Sequence, residues 1–129
     1  MAEPIWLDPR MIEAVHDRLL AEHGGGAGLR DEGLLASALA RPRQLAAYGQ
    51  PDLCDLAAAY AAGIVRNHPF VDGNKRTAFV AAYVFLARNG LKLTASEASA
   101  THSVLALAAG EMSEAAFSAW LRESTHPTD

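Results

Sequence analysis

Two stretches of this chain are apolar on almost every helical face. One runs Leu56-Ala57-Ala58-Ala59-Tyr60-Ala61-Ala62-Gly63-Ile64-Val65, and the other is the TAFVAAYVFLAR run from Thr77 to Arg88. A helix without a polar face is stable in water only where neighbours cover it all round. Both stretches must therefore be interior helices, and the small residues of the first would let other helices approach closely. Between them lies Arg66-Asn67-His68-Pro69-Phe70-Val71-Asp72-Gly73-Asn74-Lys75-Arg76-Thr77, the run on which the chemistry of the sequence converges.

Neither stretch reaches the roughly 18 uninterrupted apolar residues of a membrane span, so no membrane segment is expected. Half of the 129 residues are hydrophobic and a fifth are charged, which fits one globular domain over residues 1–129. Met1-Ala2-Glu3-Pro4 carries no basic, apolar leader, and the single Cys54 excludes an internal disulfide, so a cytoplasmic protein is expected. A formal net charge of −4 argues against direct nucleic-acid binding through a generally basic surface. The run from Arg66 to Arg76 is locally positive all the same, with three cations against one anion. That pattern suits a bound anion, or arginines that pair with acidic neighbours near helix ends.

Taken in order, Asp8-Pro9 reads as an N-cap with proline at the first helical position. Ile12, Val15, Leu19 and Leu20 then give an amphipathic helix ending at His23, before Gly24-Gly25-Gly26. His16 and His23 have no partners at metal-ligand spacing and read as surface residues. A second helix opens at Asp31, carries Leu34, Leu35, Ala38 and Leu39, and is expected to stop at Pro42. Arg43 to Pro51 reads as irregular. Asp52 or Asp55 caps the third helix, which runs to Arg66. The fourth follows the central run and ends at Asn89-Gly90. Leu91-Lys92-Leu93 is a brief extended link. Thr94 and Glu97 have capping-box spacing for a fifth helix through Val104, Leu105 and Leu107, with His102 on its polar side. Ser113 caps a sixth with Phe117, Trp120 and Leu121 inward, and residues 124–129 read as a frayed tail. The expected fold is all-α, a compact bundle of about six helices with the active loop between the two buried ones.

The residue before a proline avoids the right-handed helical region, so His68-Pro69 must break the third helix. Gly73 permits an unusual turn, and Asn74 begins the fourth helix. The backbone N–H groups from Gly73 to Arg76 are that helix's first-turn donors, a natural anion site at the positive end of its dipole. Asp72 beside them is a hard-oxygen donor suited to magnesium, or else the N-cap. Lys75 and Arg76 can neutralise phosphate, Arg66 can reach the same anion from the other side, and Phe70 anchors the loop in the core. Lys75 is one of only two lysines against nine arginines. Imidazole is the side chain that changes charge nearest neutral pH, which makes His68 the candidate general base. A base, a metal ligand and an anion hole with no protein nucleophile point to phosphoryl or nucleotidyl transfer onto an acceptor hydroxyl.

His68-Pro69-Phe70-Val71-Asp72-Gly73-Asn74-Lys75-Arg76 resembles the signature of Fic-domain proteins, H-P-F-x-[D/E]-G-N-G-R. Lysine in place of the second glycine resembles the Doc branch, toxins of bacterial toxin–antitoxin modules. Gly28-Leu29-Arg30-Asp31-Glu32-Gly33-Leu34-Leu35 with Ala40-Arg41-Pro42 resembles the family's second recurrent block, so the likeness covers nearly the whole chain. The resemblance implies that His68 takes the proton of a target hydroxyl and Asp72 holds magnesium. It implies that Arg66, Gly73, Asn74, Lys75, Arg76 and Thr77 bind the nucleotide, with Lys75 and Arg76 also serving catalysis. Residues 43–51 would be the flap that aligns the target polypeptide. A Doc-type loop implies transfer of the ATP γ-phosphate to a threonine or serine of translation elongation factor Tu, arresting protein synthesis. A Fic-type loop implies AMP transfer instead, and a third possibility is a binding module without catalysis.

The family's inhibitory [S/T]-x-x-x-E-[G/N] helix has no counterpart here, since the residue four before Glu32 is Gly28. Restraint by an antitoxin helix docked in a groove is implied. The chain departs from some Doc-type toxins at Val80, where they carry asparagine.

Overall fold

In a computed structural model of the chain, residues 3–128 are described. Met1-Ala2 of the expected leaderless start and Asp129 of the expected tail lie outside the described residues. Six helices follow in order: α1 (Pro9–His23), α2 (Glu32–Tyr48), α3 (Leu53–Asn67), α4 (Asn74–Arg88), α5 (Glu97–Ala108) and α6 (Glu114–Glu123). The all-α fold is the one expected from the sequence.

Helix α3 is the axis of the bundle. Every residue from Leu56 to Ile64 is buried, because α2, α4, α5 and α6 all pack on it. Asp52 and Asp55 form a reciprocal capping box at its start, so both aspartates offered by the sequence take part. Helix α2 runs antiparallel to it, as the Asn67 amide donating to the Leu34 carbonyl at 2.9 Å shows. Midway along this seam a Cβ on Gly63 would stand 3.2 Å from the Cα, Cβ and carbonyl oxygen of Ala38. The missing side chain is what allows the two backbones to come this close. Helix α6 is also antiparallel to α3. Arg122 binds Asp52 at 2.9 Å, and the Ser118 hydroxyl donates to Asp55 at 2.6 Å.

The sequence expectations need four corrections here. Helix α2 does not stop at Pro42 but passes through it to Tyr48. Pro42 is itself buried in the bundle, and packing of Leu39, Leu45 and Ala46 against the core outweighs the hydrogen bond a proline removes. Residues 43–48 are accordingly helical, not irregular. Helix α5 is capped by Ser96, whose hydroxyl accepts from the Ser99 amide, and not by Thr94. Thr94 is occupied elsewhere, donating to the Ser124 carbonyl from its amide at 2.8 Å and its hydroxyl at 3.1 Å.

The tail, expected to be frayed, is ordered over its described length. Thr125–Pro127 forms a strand, β2, antiparallel to β1 (Leu91–Leu93), with Lys92 opposite His126. The short sheet closes the end of the bundle remote from the central loop. The opening segment is tied down there too: Asn89 exchanges hydrogen bonds with the Ile5 backbone, and the Tyr60 hydroxyl accepts from the Leu7 amide at 3.1 Å.

Candidate active site

Helix α3 ends as Pro69 requires. His68 leaves the helix in the left-handed region, φ 52° and ψ 54°, while its amide still donates to the Ile64 carbonyl. The last carbonyls of α3 are capped from outside: Arg30 donates through Nε to His68 at 2.7 Å and through Nη2 to Asn67 at 2.9 Å. The backbone of residues 28–31 then runs beside the loop as a strand would. The Arg30 and Asp31 amides donate to the Pro69 carbonyl, and the Val71 amide donates to the Gly28 carbonyl.

This placement corrects the expected flap. Residues 43–51 lie toward the opposite end of the α2/α3 pair, with Pro51 a helix length, roughly 22 Å, from His68. The segment that lines the loop is Gly28 to Asp31.

Phe70 anchors the loop in the core, 1% exposed, as expected. The Asn74 side chain holds its peptide from both sides. Its Oδ1 accepts from the Phe70 amide and its Nδ2 donates to the Phe70 carbonyl, each at 3.0 Å. His16, expected at the surface, is instead buried at 1% exposure and stacks on Phe70, with ring centroids 3.9 Å apart. The spacing of Ile12, His16 and Leu19 along α1 was the signal: it puts the imidazole on the apolar stripe. His23 is exposed, as expected.

Helix α4 begins at Gly73, φ 79°, with no side chain capping it. The Asn74, Lys75 and Arg76 amides are its first-turn donors, while the Gly73 amide turns back to Asp72 Oδ1 at 2.8 Å. Asp72 is therefore not the N-cap. Its second oxygen accepts from the Gly26 amide at 3.4 Å, and a Cβ on Gly25 would stand 2.7 Å from that oxygen, so the glycine run is shaped to pass this carboxylate. The Gly73 and Gly26 amides, helped by the charge of Arg76, hold the Asp72 carboxyl below its ordinary range. Lys75 and Arg76 are exposed and, among the described residues, make no ion pair or hydrogen bond.

Among the described residues no three His, Cys, Asp or Glu side chains cluster as a metal cage. A single exposed carboxylate beside a helix N-terminus fits magnesium, which keeps several waters and is completed by substrate phosphates. Asp72 has lone pairs left to serve in that way.

The remaining expected site residues are distributed less tidily. His68 is exposed at the far end of the loop from Asp72. Arg66 shares the carboxylate of Glu114, 3.2 Å away, with Arg41, the acidic pairing that the sequence left open for it. Thr77 is fully buried on the inner face of α4, and its hydroxyl has no hydrogen-bond partner among the described residues. Asn74 is buried as well. Beside Lys75 a shallow groove of about 370 Å³ opens along α5, lined by His102, Leu105, Ala109 and Glu111. Arg30 and His16 are the loop-supporting residues that motif reading did not single out.

Comparison with known proteins agrees with this geometry. The Fic/DOC family profile matches residues 6–86, covering α1 to α3, the loop and nearly all of α4. The chain is 52% identical over 75 residues to Toxin Doc of Mycolicibacterium smegmatis, an alignment that spans 56% of this chain and 57% of that protein. It is 35% identical over 117 residues to Protein kinase doc of Escherichia phage P1, spanning 90% and 92% of the two chains. With the loop, its buried anchor and the flanking helices all in place, the chain belongs to the Fic/DOC family and to its Doc-type branch.

Proposed function

We propose that this protein is the toxin of a toxin–antitoxin module and transfers the γ-phosphate of ATP to a hydroxyl of a target protein, with elongation factor Tu the candidate target. The observation that carries the reading is the uncapped start of α4. Three backbone donors, an exposed carboxylate and two cations without an ion pair among the described residues meet there, one loop away from an exposed imidazole. The two relatives, a toxin and a protein kinase, support the same reading.

ATP phosphates would lie on the Asn74, Lys75 and Arg76 amides, with Lys75 and Arg76 neutralising their charge. Asp72 would hold magnesium, which when bound draws charge from the phosphate oxygens. His68 takes the proton as the target hydroxyl oxygen bonds to the γ-phosphorus. The bond from that phosphorus to the β,γ-bridging oxygen breaks, and ADP leaves. Gly28 to Asp31, running beside the loop, is placed to guide the target polypeptide. Arg66, held by Glu114, would act at the rim and not at the phosphates. Thr77 would support the loop from beneath.

Such an enzyme acts in the cytoplasm and needs restraint by a cognate antitoxin. Induced expression should stop growth and incorporation of labelled methionine, and co-expressed antitoxin should relieve both. His68→Ala, exposed and outside the core, should be harmless while folding normally. Translation continuing unchanged under wild-type expression would refute the toxin reading.

A further inference from the structure

One side chain outside the loop touches three of its members. His16 lies in α1, 56 residues before Asp72, and is 1% exposed. Its ring is nearly parallel to Phe70, at 11° between planes. Its Nε2 is 2.7 Å from the Asp72 carbonyl oxygen. It also lies beneath Gly73, where a Cβ would come within 3.6 Å of Cδ2 and Nε2. A carbonyl oxygen only accepts, so Nε2 carries the hydrogen.

The stack and the volume could be supplied by any flat apolar ring. What the imidazole adds is a donor aimed at the backbone of the loop's one carboxylate. The Asp72 side chain is itself committed to the Gly73 and Gly26 amides. A shift of the Asp72 peptide would therefore move the carboxylate relative to the start of α4.

We propose that His16 is a positioning residue: its Nε2–H fixes the Asp72 peptide and so sets where the carboxylate stands beside the first turn of α4. The consequence for catalysis rests on the function proposed above, whereas the consequence for the loop does not.

Two variants separate donor from ring. His16→Phe keeps the stack and the volume and removes the donor. His16→Gln brings a side-chain amide N–H to nearly the same point. Amide hydrogen exchange across residues 71–73, read without ligand, should be about tenfold faster in His16→Phe and close to wild type in His16→Gln. The magnesium concentration for half-maximal ATP turnover should rise about tenfold in His16→Phe and return in His16→Gln, with the melting temperature of the two variants alike. Wild-type exchange in His16→Phe, or equal impairment of both variants, overturns the proposal. If the wild-type protein turns over no ATP, the exchange result still decides the role of His16, and only the proposed function fails.

Discussion

The side-chain amide of Asn74 closes a ring on the peptide of Phe70, accepting from its N–H and donating to its carbonyl at 3.0 Å each. Asn74 is the first residue of α4 and Phe70 the anchor of the loop, so this pair fixes the loop to the helix that follows it. Both bonds are buried. Asn74→Ala leaves two backbone groups unpaired away from water and should lower unfolding free energy by about 2–4 kcal/mol. Asn74→Asp keeps the acceptor but faces the Phe70 carbonyl with an oxygen, and should recover only part of it. Urea denaturation of the three proteins measures both.

Gly63 sets the distance between α2 and α3. A methyl there meets Ala38 at 3.2 Å on backbone and side chain alike, and backbone cannot swing aside. Gly63→Ala should cost about 1–3 kcal/mol despite the higher helix propensity of alanine. Adding Ala38→Gly should restore a part of that, since the Ala38 Cα and carbonyl remain in the way. A denaturant midpoint in the single variant at or above wild type would show that the seam can open without strain.

The same seam shows where sequence reading succeeds and where it stops. Helix α3 was legible because all-round apolarity admits only burial, and the loop because His68-Pro69 and Gly73 must break helices. Helix α4 is as apolar but is not enclosed, since it covers α3 with one face and leaves Tyr83 exposed and Phe79, Val80 and Val84 half-buried on the other. Pro42 misled because its cost is local, while the packing that overrides it comes from helices distant in sequence. The tail misled likewise: three residues say little about pairing until β1 lies beside them. At the candidate site, the grouping of Asp72, Lys75 and Arg76 around the start of α4 was legible from residue type and spacing. Arg30 and His16 were not, because each acts on loop backbone nearly forty or more residues away in sequence.

The amides of Gly73 and Gly26 hold the Asp72 carboxyl below its ordinary value of 3.8. Asp72 therefore stays ionised through mild acid, and its contact with those amides stabilises the fold fully above the unfolded-state value. That contribution is lost as pH falls through the lower folded-state value. An NMR titration of the Asp72 carboxyl carbon should give a midpoint below 3.8, moving up in Arg76→Gln as one favourable charge is removed. A wild-type midpoint at or above that value would mean the two amides do not hold the carboxylate in solution.

On the function proposed above, Lys75 and the start of α4 present the γ-phosphate of ATP to a protein hydroxyl with His68 as base. The most direct test incubates the protein with elongation factor Tu and magnesium, using ATP labelled at the γ-phosphate in one reaction and at the α-phosphate in the other. Label is expected on the target from the γ position alone, reduced at least about a hundredfold in His68→Ala. Label from the α position alone would contradict it and make the protein an AMP transferase, and full activity of His68→Ala would remove the base.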